Sequence, residues 1–332
     1  MKTIAFFNNK GGVGKTTLVH HLAWTFSDLG VRVLAVDLDP QSNLTSMFLN
    51  ERHLEKIWPD NDEHPCTVLG AVTPIMRGLG DIAEQPIELI DEHLGLLAGD
   101  LGLSRFEDDL SQQWPRCLDR KEDAFRVSTA FYRIILDAAQ RHQADVVLID
   151  VGPNLGAINR SSLLAANHVV IPLVPDLFSL QGLRNLGPSL GTWRLEWRDR
   201  LERAPKGLPA PKGEMKPAGY IALQHNVRLN RPVSAYEKWM VRIPREYERS
   251  VLQIKNPSGV ALERDPNCLA QLRHYRSLMP MAMEARKPIF HLRAADGALG
   301  AHGTAARRCG EDFRKLAAAI ARSCDFAMPT EL

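Results

Sequence analysis

The chain opens on a short apolar run, Ile4-Ala5-Phe6-Phe7, which breaks into the glycine-rich stretch Asn8-Asn9-Lys10-Gly11-Gly12-Val13-Gly14-Lys15-Thr16-Thr17. A brief apolar run stopped by glycines predicts a buried strand. Leu18, Leu22 and Trp24–Phe26 then recur at helical spacing, predicting a helix from about Thr16 to Leu29 closed by Gly30 as a left-handed C-cap. The alternation continues down the chain. Val31–Val36, Asp145–Asp150 and His168–Leu173 are short and rich in Val and Ile, as strands of a buried parallel sheet are, and Gly219–Leu223 resumes the sheet later. Between them, 67–79 reads as a short helix, 50–66 as a polar loop, and Ala124–Arg141 as one amphipathic helix with apolar residues at 124, 127, 131, 134, 135 and 138. A closing helix is predicted over about Thr304–Arg322, burying Phe313, Leu316, Ala317 and Ile320. Strands alternating with helices predict an α/β fold, a doubly wound and mainly parallel sheet with helices on both faces. The expectation is a single domain over 1–332, with an exposed Pro/Gly/Lys-rich loop at 204–217 and an extended region at 227–275.

Composition narrows the class. Of 332 residues, 45% are apolar and 24% charged, which describes a globular chain, not a disordered one. No run of 18 apolar residues occurs and no signal-peptide pattern precedes the first strand, so a cytoplasmic protein without a membrane partner is expected. The five cysteines are scattered and read as reduced thiols, without the paired spacing that an iron–sulfur centre requires. The net charge of +2 hides a division: residues 1–150 hold 14 Lys/Arg against 23 Asp/Glu, residues 151–332 hold 27 against 16. A basic C-terminal half suggests an anionic partner, the alternative being that its cations merely solvate helix faces.

The glycine-rich stretch carries the chemistry. A strand entering a glycine turn and then a helix leaves successive backbone N–H groups aimed at one point, and the helix N-terminus adds positive potential there. Gly11, Gly12, Val13 and Gly14 let the backbone wrap a phosphate, Lys15 reaches the β- and γ-phosphates, Thr16 is placed to ligate Mg²⁺, and Thr17 continues the cradle. Asn9 stands where the ordinary phosphate loop has its first glycine, and a second lysine, Lys10, precedes the glycines. Further on, Asp37-Leu38-Asp39-Pro40 follows the second strand at the sheet edge where ligands bind, and a carboxylate there can orient or deprotonate the water that attacks a γ-phosphate. Asp150 ends an apolar strand in the Walker B manner and is placed to hold magnesium through water.

Lys-Gly-Gly-x-Gly-Lys-Thr-Thr, the Asp-x-Asp-Pro block and the strand ending at Asp150 together resemble the deviant Walker-type ATPases of the ParA/MinD group. The resemblance implies ATP and Mg²⁺ as ligands, slow partner-stimulated hydrolysis to ADP and phosphate, catalytic roles for Lys10, Lys15 and Asp39, and an ATP-dependent homodimer in which Lys10 crosses to the partner's nucleotide. Leu94–Asp100 with Leu103 and Phe106 is similar to the family's strand and helix between these blocks, and Asp176–Leu183 to its aromatic segment opening the next helix. Ser277-Leu278-Met279-Pro280 looks like the last strand, followed by an adenine-contacting loop, so Gln224, Asn226 and Pro280 are candidate base contacts. The group has two prolines where this chain has Gly152-Pro153, which predicts a looser switch loop at Gly152.

Three functions are compatible with these residues. One is a ParA-like ATPase that binds DNA without sequence preference, acts with an adaptor protein, and segregates or positions plasmid, chromosome or other cargo while associated with the nucleoid. By resemblance its DNA face would include Arg273, Arg276, Arg286, Lys287, Arg307, Arg308, Arg314 and Lys315. Another is a nucleotide-dependent scaffold in a multiprotein system. The third, a MinD-like membrane switch, needs a terminal amphipathic helix, whereas Cys324–Pro329 is short and broken by proline.

Overall fold

A computed structural model describes residues 1–61, 63–224, 238–273, 275 and 278–329. Its centre is an eight-stranded sheet in the order β3-β4-β2-β5-β1-β6-β7-β8. The strands are β1 Lys2–Phe6, β2 Val33–Asp37, β3 Glu88–Asp91, β4 Leu94–Leu97, β5 Val146–Asp150, β6 His168–Leu173, β7 Lys216–Gln224 and β8 Cys268–Arg273. All neighbours pair in parallel except β3, which runs antiparallel to β4 at one edge.

Successive strand side chains point to opposite faces, so each strand feeds two cores. Ile4, Phe6, Val33 and Ala35 meet α1 (Lys15–Asp28) and the closing helix α12 (Ala301–Ser323) through Leu18, Leu22, Phe26, Phe313 and Leu316. Ala5, Phe7, Leu34 and Val36 meet the other layer through Leu69, Phe106, Phe131, Ile135 and Leu183. That layer contains α4 (Val68–Met76), α5 (Phe106–Arg116), α6 (Glu122–Ser128), α7 (Ala130–His142), α8 (Ala157–Leu164) and α9 (Leu177–Leu201). Phe6, Phe7, Phe26, Phe106 and Phe131 are almost wholly buried, each burial stabilising by about 1.5–3 kcal/mol. Short helices α2 (Asn43–Phe48) and α3 (Glu51–Ile57) follow β2, while α10 (Ile243–Ser250) and α11 (Leu278–Ala285) lie in the C-terminal half.

The departures from expectation have local causes. The stretch 50–66 contains α3, whose N-terminus is capped by the Asn50 side chain accepting from the His53 N–H, a helix too short to show periodicity. The segment 124–141 is two helices, broken at Thr129, whose hydroxyl bonds back to the Phe125 carbonyl at 2.7 Å and accepts from Arg133 Nε at 3.2 Å. The loop 204–217 is not exposed throughout. Pro211, Gly213 and Met215 are buried, the Trp197 indole N–H donates to the Pro211 carbonyl at 2.8 Å, and β7 already begins at Lys216. Of the expected last strand at Ser277–Pro280, Ser277 lies outside the described residues and the rest belongs to the helix Leu278–Ala285; the sheet's final described strand is β8. β8 is a half-exposed edge strand, so its pattern of Cys, Leu, Ala, Gln and Arg is less apolar than that of the buried strands. Among the described residues no helix is long and apolar enough to cross a membrane, and none of the five cysteines is disulfide-bonded.

Close packing of α9 on α10 holds the second half of the sheet. A Cβ on Gly187 would lie 1.8 Å from the Ser250 carbonyl oxygen. Gly187→Ala should therefore lower stability by about 2 kcal/mol or more despite the gain of roughly 1 kcal/mol in helix propensity. Thermal denaturation checks it, and a melting temperature at or above that of the parent would contradict the packing.

Candidate functional site

The carboxyl ends of β1, β2 and β5 converge beneath the N-terminus of α1, because parallel neighbours in this register finish at one edge. Asp37 and Asp150 are direct cross-strand partners. The loop from β1 to α1 takes two left-handed residues, Gly12 at φ +71° and Gly14 at φ +81°, which a side chain would strain. It is tied to the scaffold by Asn8, whose Nδ2 donates to the Pro172 carbonyl at 2.7 Å and whose Oδ1 accepts from the Lys10 N–H at 2.9 Å. Gly182 of α9 makes room for it: a Cβ there would stand 2.8 Å from Asn9 Oδ1.

A cavity of about 410 Å³ is lined by Gly11–Thr17, Asp39, Gln41, Asn43 and Ser46, with Met47, Pro153 and Met283 at its apolar side. A second one of about 410 Å³ shares Gly12, Val13, Gly14 and Thr17 and is walled by His21, Leu223, Leu272, Tyr275, Met279 and Phe313, with Arg273 among them. A cradle of loop amides with Lys15 and Asp39, adjoining an apolar slot across shared glycines, fits a ligand with a polyanionic end and a flat apolar end, which is the chemistry of a nucleotide.

Charge at the cradle is concentrated. Lys15, Asp39 and Asp150 are all buried. Burial lowers the Lys15 pKa, opposed by the attraction of Asp150 and Asp39. Burial raises Asp150 well above the ordinary carboxylate range, with Asp37 adding to the rise, while the Thr16 hydroxyl and Lys15 favour its charged form. Asp37 is pushed up to about 7 by burial, against the hydrogen bonds it accepts from Thr45. Both Asp150 oxygens are buried without a hydrogen bond. An orphaned carboxylate beside a threonine hydroxyl is a donor set that suits Mg²⁺, so Thr16 and Asp150 fit the group expected of them.

Asp39 is held by its own loop: its N–H donates to Asp37 Oδ1 at 3.3 Å and its Oδ1 accepts from the Gln41 N–H at 3.0 Å. Gly152 lies against it, since a Cβ there would be 3.3 Å from Asp39 Oδ1. The switch loop predicted to be loose at Gly152 has another restraint. Asn159 Nδ2 donates to the Gly152 carbonyl at 2.9 Å and to the Asn154 carbonyl at 2.7 Å.

Lys10 stands at the rim and turns back on its own chain. Its ammonium pairs with Asp176 Oδ2 and lies 5.7 Å from the centre of the Phe178 ring. Asp176 Oδ1 meanwhile caps α9 by accepting from the Ser179 N–H at 2.8 Å.

The other candidates disperse. Asn226 and Arg276 lie outside the described residues, Gln224 ends β7, and from α11 it is Met279 and not Pro280 that reaches the apolar slot. Arg286, in a left-handed backbone at φ +49°, donates inward to the Leu49 carbonyl at 2.8 Å. Lys287 pairs with Asp296 at 3.0 Å. Arg307, Arg308, Arg314 and Lys315 are exposed on one side of α12, while Arg273 lines the apolar slot, so the seven described cations do not make one face.

Sequence reasoning missed Asp37, which accepts from the Thr45 N–H at 2.8 Å and hydroxyl at 2.7 Å and so shapes the Asp39 turn. Its place at the end of β2 was the available signal. It also missed His21, whose Nδ1–H donates to the Thr17 carbonyl at 2.8 Å while Nε2 accepts from the Ile289 N–H at 3.1 Å. Burial pushes it to about 4, leaving a neutral ring.

Comparison with known proteins agrees with this geometry. A family model described as an AAA domain matches residues 1–202. The sporulation initiation inhibitor protein Soj of Bacillus subtilis is 31% identical over 194 residues, covering 58% of this chain and 65% of Soj. The chain spans about half the length of several curated relatives it matches. Among solved structures, protein DIP2308 of Corynebacterium diphtheriae superposes with a TM-score of 0.69 at 27% identity, covering 97% of this chain and 98% of that one. The McdA–ATP complex of Cyanothece superposes with a TM-score of 0.65 at 15% identity over 100% and 99% of the two chains, a likeness of fold. With its phosphate loop, its Asp39 and Asp150 blocks and this match over its N-terminal 202 residues, the chain belongs to the ParA-like family of P-loop ATPases.

Proposed function

We propose that the chain binds Mg-ATP, closes as a homodimer around it, hydrolyses it slowly, and in the ATP state binds DNA without sequence preference so as to segregate or position a cargo with the help of an adaptor protein. The observation that carries this reading is the cradle of Gly11–Thr17 beside an apolar slot that shares its glycines, with Asp39 lining the cradle and the orphaned Asp150 close by.

In this reading the loop N–H groups and Lys15 neutralise the phosphates, and Asp39 orients the attacking water and accepts its proton as the bond to the γ-phosphoryl group breaks. Thr16 and Asp150 would hold Mg²⁺, which would supply charge stabilisation to the phosphates. Lys10 serves the partner's nucleotide after leaving Asp176. Leu177 and Phe178, exposed beside it at 53% and 70%, provide apolar surface for the partner to cover.

Lys15→Ala should weaken a labelled ATP analogue by about a hundredfold or more, because two charge-assisted contacts are lost. Wild-type-like affinity would overturn the phosphate-loop assignment. Asp39→Ala with ATP should accumulate as a dimer in light scattering, whereas Lys10→Ala should keep nucleotide and stay monomeric. A monomeric Asp39→Ala protein at high concentration contradicts the shared-nucleotide arrangement.

The buried carboxylates predict a pH dependence. Asp37, near 7 in the fold and in the ordinary carboxylate range when unfolded, favours the folded state most below about pH 4 and progressively less up to pH 7. The ligand-free protein should lose stability across that window, on the order of 1 kcal/mol per pH unit from this group. Asp37→Asn should flatten the slope in denaturant titrations at several pH values, and an unchanged slope would remove Asp37 as its source.

A further inference from the structure

The region between α9 and α10 holds a cavity of about 580 Å³, separate from the nucleotide cradle. Four arginines line it: Arg184 from α9, and Arg242, Arg245 and Arg249 from the start and body of α10. The last three are spaced i, i+3 and i+7 and so share one helix face. A single carboxylate, Glu246, lines the cavity with them. It is buried and already committed, accepting from Arg184 at 2.8 Å and from the Ser250 hydroxyl at 2.6 Å. The neighbouring Glu248 is likewise spent, accepting from the Ser258 N–H and hydroxyl at 2.6 and 2.8 Å. Among the described residues no carboxylate pairs with Arg242, Arg245 or Arg249, and Arg242 lies 5.3 Å from the centre of the Trp239 ring.

Like charges at i, i+4, as Arg245 and Arg249 are, destabilise a helix in the absence of an anion. Arg184 is fixed by its bond to Glu246, whereas the other three guanidiniums are exposed around the opening. Planar forks converging on one opening are suited to phosphate oxygens, which they bind bidentately. The α12 cations, by contrast, are exposed along one side of a helix. We propose that this arginine-lined cavity is a phosphate site that seats the backbone of duplex DNA, and that it, more than α12, carries the chain's DNA affinity.

The proposal rests on the DNA reading above and gives it a location. It also suggests a route of control, because Asp176, the residue that holds Lys10, caps the helix that supplies Arg184. Eight residues of helix separate them, about 12 Å at 1.5 Å per residue.

The test compares duplex retention across a salt series, with ATP, for the parent, for Arg242→Ala/Arg245→Ala/Arg249→Ala, and for Arg307→Ala/Arg308→Ala/Arg314→Ala. ATP-analogue binding and melting temperature serve as controls for folding. The cavity variant should lose about tenfold or more in affinity, and the slope of log affinity against log salt should fall by about 3, one for each phosphate contact removed. The α12 variant should change much less. Arg242→Lys/Arg245→Lys/Arg249→Lys keeps the charge and should retain most of the slope while keeping only part of the affinity. Retention by the parent that the α12 variant loses and the cavity variant keeps would overturn the location alone, and no retention by the parent in any nucleotide state would overturn the DNA reading with it. Titration with inorganic phosphate separates the remaining source: binding abolished in the cavity variant, in a protein that retains no duplex, would assign the cavity to a free phosphate compound and overturn the proposal.

Discussion

Three carboxylates and one ammonium group buried at the ends of adjacent parallel strands set the terms for the rest of the molecule. Asp39 lines the cradle with Lys15, and Asp37 and Asp150 are buried as cross-strand partners beside it; desolvation pushes Asp37 and Asp150 up and the lysine down. Such a cluster is costly in an empty fold; in the proposed function Mg-ATP would offset that cost, with phosphate meeting Lys15 and Mg²⁺ meeting Asp150. The surrounding devices keep it assembled: cross-strand pairing of Asp37 with Asp150, the Thr45 bonds to Asp37, and the Asn8 and Gly182 seating of the loop.

This arrangement also explains why small residues occupy so many close contacts. A Cβ at Gly99 would come within 2.8 Å of Asp37 Cγ, and the Gly99 N–H donates to the Thr45 hydroxyl that in turn binds Asp37. Gly152 leaves room beside Asp39 while Asn159 restrains the loop through its carbonyls. Rigidity that two prolines would give through the backbone is supplied here by a side-chain amide.

Much of this was legible in the amino-acid sequence because strong local signals coincided with strand ends. The runs before Asn8, Asp37 and Asp150 are short and apolar, so the strands and the residues they deliver could be located together. Legibility failed where the deciding contact was distant. Thr129 interrupts a helix without disturbing its apolar spacing. β8 is an edge strand with a mixed pattern, and this displaced the expected last strand onto what is a helix. Arg286 and Lys287 look like surface cations in sequence, yet one is bound to Leu49 and the other to Asp296. The arginine cavity depends on Arg184 meeting a helix some sixty positions away, and no local pattern announces that.

Asp176 gives its two oxygens to two separate tasks, one holding the first turn of α9 and the other holding Lys10. In the proposed dimer each lysine is lent to the other copy, and each Asp176 then keeps its helix but loses its counter-ion. Neither subunit can complete the exchange alone, since a lysine released without a partner nucleotide to receive it gives up an ion pair for nothing. Association of this kind is reciprocal: half-closed species are disfavoured on both sides at once, and the transition between one chain and two is sharpened by a single carboxylate.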